Sequence, residues 1–422
     1  MTIAKPELML FDHPVFQTAV EKGLWIDVHP INSIMQGPIE FLVNGGIDYL
    51  DLASTVLYIK ARIIKADGTA YTEPTEVGFV NNAMHSMFSD IFVTLGSEVI
   101  EGGDSMYPYK AIMSTLFSFS EQAMQMQLPS VGFIKDQSGK MDDKENSAFV
   151  KRKLWTTQGS KEFMGKLFVD MLQQPQYLLN AIDLRFKLVR AKNEFCICNY
   201  SNTEKPKVVI DDAILYVRKC KINPTILIQH EMSLQKEAMT LYPINRIDMQ
   251  TYTIPAQSKA FRKDNLFYNK RPNHLIFGMV SNNAYNGKYE LNPFNFHHFN
   301  LNYVTLIVDG ESTPFQAFTP DFTNRNCLRD YNSLYMSAGN FGKDSALPIS
   351  YNDFLKGYTL YIFNLAPDLT NNPTTPYASA NIRLELKFEE ELPITVTLIL
   401  MASFHSVLQI DQVRNVFCDY KA

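Results

Sequence analysis

The chain has 422 residues, 46% of them hydrophobic and 20% charged, with a net charge of −5 at pH 7. That length fits two domains of about 200 residues better than one core, and the composition is that of a folded protein. Basic residues cluster only at Lys151-Arg152-Lys153 and Lys219 to Lys221, which excludes an extended nucleic-acid footprint, and no apolar run approaches the ~20 residues of a membrane span.

Residues 1–36 read as an N-terminal arm. Phe11 to Trp25 has mixed polarity, and Pro6, Pro14 and Pro30 interrupt any long element. The first residues carry no apolar leader, so the expectation is a protein made in the cytosol. Residues 37–222 read as a first β-domain. Pro38 to Val43 is a strand closed by the turn Asn44-Gly45-Gly46, and Ile47 to Leu52 and Thr55 to Ile64 alternate as half-buried strands do. Val77 to Phe88 places Phe79, Ala83 and Met87 at helical spacing and is expected to be a helix. Asp90-Ile-Phe-Val-Thr-Leu-Gly-Ser-Glu98 follows, then a helix over Tyr107 to Phe117. Ser120 to Ser160, with the polar runs Lys135 to Gly139 and Met141 to Asn146, reads as a long solvated insertion that projects outward. Glu162 to Met171, Ile182 to Ala191 and Val208 to Lys219 complete the series as strands, and Asp183 to Arg190 alternates with period 2.

Residues 223–240 are expected to be a linker with a helical piece, with the domain boundary at Asn223-Pro224. Residues 241–422 then form a second β-domain, with strands at Leu241 to Ile254, Leu275 to Val280 and Phe294 to Leu301. Asn302-Tyr-Val-Thr-Leu-Ile-Val-Asp-Gly-Glu311 follows, and a helix over Asn326 to Met336 lies in the long loop region Asp321 to Ile349. Tyr358 to Leu365, Ile382 to Phe388 and Ile394 to Ser403 close the series. The two halves echo each other. Val-Thr-Leu starts at Val93 and again at Val304, half a chain apart, each time in an apolar run closed by a glycine turn and followed by a helix. Asp183-Leu-Arg-Phe-Lys-Leu188 alternates as Arg383-Leu-Glu-Leu-Lys-Phe388 does. About eight strands per half, with helices confined to connections, give an all-β fold of two tandem eight-stranded antiparallel jelly rolls.

The residues that carry chemistry are sparse. Five cysteines (Cys196, Cys198, Cys220, Cys327, Cys418) are an odd set, which argues against a disulfide framework. Cys196 and Cys198 would share one face of a strand, but no further ligands lie at metal-site spacing. His297-His298 on a strand would point to opposite faces and could not chelate one ion together. Asp142-Asp143 and Glu389-Glu390-Glu391 read as solvated turns, and the sequon Asn199-Tyr200-Ser201 as silent. There is no phosphate loop and no nucleophile elbow. The expectation is no catalytic, cofactor or metal residue and no enzyme. Aromatic residues at 12% suit sheet faces and subunit interfaces. A tandem carbohydrate-binding or adhesin-type β-sandwich is the alternative, and it would call for a signal peptide, disulfides or clustered tryptophans where the chain has Trp25 and Trp155. A two-cupin enzyme would need a metal triad.

Three segments resemble the hexon-like double jelly-roll major capsid proteins of eukaryotic DNA viruses, most of all those of the Polinton (Maverick) and adintovirus type. They are Ser89 to Glu101, Tyr289 to Gly310 and Ile394 to Asp411. In that family the first motif is followed by a conspicuous helix, matched by Tyr107 to Phe117, and the likeness runs from about Gly37 to Arg414. The resemblance implies a homotrimer of pseudo-sixfold outline that tiles an icosahedral virion shell through trimer–trimer contacts, with a penton or minor capsid protein at the vertices. It implies a virion location and assembly in the host cell, and the sequence itself offers no evidence of direct nucleic-acid binding or membrane insertion. The chain is short for a hexon, so modest loop towers are expected at Ser120 to Ser160 and Asp321 to Ile349. The arm, Met1 to Met35, is expected to anchor neighbouring capsomers from inside.

Overall fold

A computed structural model describes residues 17–35, 37–201, 205–343, 347–366 and 379–419. The first half contains β1 (Val20–Val28), β2 (Ile39–Val43), β3 (Tyr49–Ile64), β4 (Val77–Phe79), β5 (Phe88–Leu95), β6 (Glu98–Glu101), β7 (Lys161–Gly165), β8 (Leu184–Arg190), β9 (Ile197–Asn199) and β10 (Lys207–Ile222). Its helices are α1 (Ala83–Ser86), α2 (Tyr107–Ser118), α3 (Glu121–Met126), α4 (Ser147–Thr157) and α5 (Asn193–Cys196). Helix α6 (Pro224–Gln235) connects the halves. The second half contains β11 (Thr240–Ile254), β12 (Ala260–Lys263), β13 (His274–Ser281), β14 (Leu301–Val308), β15 (Glu311–Phe318), β16 (Leu360–Asn364), β17 (Ile382–Phe388), β18 (Val396–Ile410) and β19 (Val416–Cys418). Its helices are α7 (Asn282–Asn286), α8 (Leu328–Ser337) and α9 (Tyr351–Leu355).

Each half is built on two antiparallel sheets that follow one and the same four-strand path; β19 adds a fifth strand beside β18, and β4 and β9 form a separate two-stranded sheet. The first has the orders β1-β10-β3-β7 and β2-β8-β5-β6; the second has β11-β18-β13-β16 and β12-β17-β14-β15. Each chain order therefore returns its last long strand beside its first, the wiring of a jelly roll. The echo falls on equivalent hairpins, β5–β6 and β14–β15, with glycine-bearing turns: Gly96 lies at φ 58, Asp309 and Gly310 at φ 51 and 92. Positive φ matches the right-handed twist of the flanking strands, and this is what the repeated glycine provides. The second echo is β8 and β17, which occupy the same place in the two halves. Leu184, Phe186 and Leu188 on one, and Leu384 and Leu386 on the other, are buried. The strand interiors and α2 share one apolar core that runs through both halves.

Four expectations change. Residues 20–28 of the expected arm are an edge strand, held by pairing from Val20↔Ile222 to Val28↔Leu215; residues 1–16 lie outside the described residues. Val77 to Phe88 is not a helix. Residues 77–79 pair with residues 199–197 as β4 and β9, and Asn82 at φ 55 leaves only a four-residue helix, so tertiary pairing overrides the helical spacing. Glu162 to Met171 is a strand only to Gly165 and ends in a single 3-10 turn over Asp170–Leu172. Phe294 to Leu301 is a turn region rather than a strand, because Phe299 and Asn300 take positive φ (46 and 50) just before β14 begins.

Candidate assembly surfaces

The two halves meet along α2. Pro108 near its start has no amide hydrogen to lose, and every residue from Tyr107 to Leu116 is buried, so the helix is a spine and not a surface element. Tyr109 stacks on Tyr285 at 5.7 Å, meets Phe294 edge-on at 5.7 Å and donates its hydroxyl to the Pro293 carbonyl at 3.2 Å. The next residue, Lys110, is shared by two carboxylates, Glu101 and Asp170, the latter at 2.6 Å. Asp170 in turn accepts the Ile247 N–H of β11 at 2.8 Å. Burial and the neighbouring Asp170 charge push the Glu101 carboxyl up to about 7, whereas the two carboxylates hold Lys110 firmly protonated.

The segment expected as a solvated projection is the second part of this seam. Arg152 of α4 is fully buried. It donates to the Phe79 and Ile134 carbonyls (3.0 and 3.1 Å) and to Asp136 (2.7 Å). Asp136 also accepts from Asn292 Nδ2 at 3.0 Å, and its carbonyl accepts the Tyr358 hydroxyl at 2.9 Å, both from the second half. Lys135 pairs with Asp353 at 2.7 Å. Asp142, expected in a solvated turn, accepts the Asn292 N–H and the Asn295 amide, each at 2.6 Å. Polar composition misleads here because these polar groups satisfy one another across the seam instead of facing water. One signal was available: Ala148, Phe149, Arg152 and Thr156 recur at helical spacing, and all four are buried.

Cys196 ends α5 and Cys198 lies in β9, so they do not share a strand face, and burial pushes both thiols up to about 12. The rings of His297 and His298 do not point apart. The turn stacks them at 4.5 Å and places His298 against Phe322 at 4.2 Å. Each Nδ1 accepts a backbone N–H, from Phe299 and Asn300 respectively, at 3.0 Å, and burial holds His298 down near 4, a neutral pair with those nitrogens occupied. Asn199 is buried with its Oδ1 taken by the Ser201 N–H and hydroxyl (2.9 and 2.6 Å). Glu389, Glu390 and Glu391 are exposed after β17. Among the described residues no group of three His, Cys, Asp or Glu side chains is placed to hold a metal ion, and no helix is long and apolar enough to cross a membrane.

What the chain does offer is apolar surface. Helix α8 holds the place of α2 in the second half: each follows the equivalent hairpin. Yet only Asp330 and Leu334 of α8 are buried, while Leu328 (62%), Met336 (61%) and nearby Phe341 (60%) are exposed. On the outer face of the sheet β11-β18-β13-β16, Ile247, Ile276 and Met401 line a cavity together with Ser114 and Phe117 of α2 and Ala338 just after α8. Among the described residues no helix covers the matching outer face of β1-β10-β3-β7. Register places Tyr58 beside Ile214 and Met164, and Val56 beside Tyr216. Trp25, paired with Arg218 on the edge strand, is 50% exposed.

This architecture defines a class: a double jelly roll, two tandem rolls that share one apolar core. Solved structures share it across the whole chain. A chain of the Sputnik virophage particle superposes with a TM-score of 0.65 at 11% identity, covering 100% of this chain and 93% of its own. The PBCV-1 virus capsid chain gives 0.58 at 11% identity (98% and 100%), and the mavirus major capsid protein 0.55 at 11% (99% and 95%). The chain thus has the hexon-like double jelly-roll fold of these viral capsid proteins. In sequence it is similar to the uncharacterized protein F54H12.2 of Caenorhabditis elegans, 25% identical over 421 residues, which covers 96% of this chain and 99% of that protein. No protein-family model matches the sequence.

Proposed function

We propose that the chain is a major capsid protein, a structural subunit that trimerises into pseudo-hexameric capsomers and tiles an icosahedral shell. The observation that carries this is the pair of identically wired rolls locked by a buried spine. A single chain then supplies two of six near-equivalent walls, and closed threefold symmetry completes the ring. The full-length superposition on viral capsid chains supports it. So does the chemistry: Asp170 and Asp136, paired with Lys110 and Arg152, also accept from Ile247 and Asn292 of the second half, so these buried charges help to join the halves. The location proposed is the virion, with assembly in the host cell and a separate penton or minor protein at the vertices. The whole-length likeness to a nematode protein supports a Polinton-type lineage carried in animal genomes.

Expression of the full chain, followed by negative-stain imaging of the particulate fraction, tests the proposal. Closed shells of uniform diameter are expected, alone or with an added vertex protein. Glycan binding by a stable, non-assembling monomer would replace the proposal with a tandem binding module.

A further inference from the structure

We infer that α8 of one copy packs on the outer face of the β1-β10-β3-β7 sheet of a second copy, and that this is the contact that closes the ring. The inference rests on the capsid reading and assigns its copy-to-copy surface. The two halves of the chain have the same strand order, so a ring of three chains contains six junctions between rolls: three within chains and three between them. The junction within the chain shows what such a junction needs. There the helix after the β5–β6 hairpin is buried, and its Ser114 and Phe117 border a cavity on the outer face of the next roll, at Ile247, Ile276 and Met401.

Among the described residues the junction between chains has both parts present and uncovered. Its helix is α8, with Leu328 and Met336 two turns apart on the exposed side and Phe341 just beyond. Its sheet face carries Trp25 on the edge strand, the Val56–Tyr216 and Tyr58–Ile214 pairs, and Met164 beside Tyr58. Strand β1 holds the place that β11 holds in the covered sheet: each is the edge partner of the last long strand, β10 or β18. Aromatic and methionine side chains that are half-exposed in one copy and face an apolar helix in the next have the composition of a permanent interface core.

Two substitution sets and a cross-link test this. Leu328→Glu with Met336→Glu, and separately Trp25→Glu with Met164→Glu, place charge where each surface is open in the single chain. Melting temperatures should therefore stay close to the parent. Light scattering should show a trimer for the parent and loss of the trimer for both sets. A chain carrying Leu328→Cys and Trp25→Cys should form disulfides between chains. If a trimeric parent gives two trimeric variants and no interchain disulfide, the α8 contact is wrong while the capsid reading stands. If the parent is itself a monomer that never assembles, the reading beneath it fails. Should either charged set melt well below the parent, hydrogen exchange on the parent decides. Protection of α8 that rises with protein concentration supports the contact, and concentration-independent exchange overturns it.

Discussion

Arg152 shows how single residues make one body out of two rolls. It spends all three guanidinium nitrogens on Phe79, Ile134 and Asp136, and Asp136 passes the connection to Asn292. Removing one partner of such a buried pair strands the other without solvent. Arg152→Ala is therefore expected to cost about 3–5 kcal/mol, read from the shift in a urea melt. Titration acts on the seam as well. His85 is buried against Tyr107 and Phe168, and desolvation lowers it from 6.5 to about 3. The unfolded chain takes up that proton first, so His85 contributes stability that is present above pH 6.5 and is lost as pH falls from there toward 3. His298, lowered to about 4, acts in the same direction. Glu101 acts oppositely: raised from 4.5 to about 7, it contributes stability that is present below pH 4.5 and is lost as pH rises toward 7. Glu101→Gln should flatten that loss between pH 4.5 and 7 and leave the acid limb of the two histidines in place. Unfolding midpoints across pH 3–8 report both, and an unchanged profile would remove Glu101 from the account.

Whole elements were legible wherever one period dominated. Ile382 to Phe388 matches β17 end to end, and Tyr107 to Phe117 differs from α2 by one residue. The hairpin echo was legible because a positive-φ turn needs glycine and a buried strand needs β-branched residues, at the same place in both halves. Two kinds of element were not. Strand β1 is a one-sided edge strand whose central residues face outward, so its sequence lacks the buried alternation that marks β8. The segment from Leu128 to Thr157 looks solvated because it is polar, yet its polarity is consumed across the seam. Its fit also depends on a small residue elsewhere. A side chain at Gly78 of β4 would meet the backbone of Lys153 in α4 at 3.0 Å. Gly78→Ala is expected to push α4 outward and cost roughly 1–3 kcal/mol, with the loss visible in a denaturant melt. Truncation separates arm from strand. Removing residues 1–16 should leave capsomers intact and impair shells, whereas removing residues 1–28 also deletes β1 and should lower the melting temperature of the capsomer itself.

The molecule as a whole is two upright sandwiches fused through α2, an arrangement suited to a flat, stiff wall. Charge fits that use, since a net −5 spread over a 422-residue chain lets many copies pack closely without strong mutual repulsion. The exposed apolar residues fit it too. They include Leu328 and Met336 on one helix and Trp25 and Met164 on one sheet face. The direct test of the central claim is the mass of the purified full-length chain by light scattering, with negative-stain images of the same peak. The account predicts a particle of three times the 48.3 kDa chain mass with a six-lobed outline. A monomer that persists across concentrations and never yields shells would contradict it.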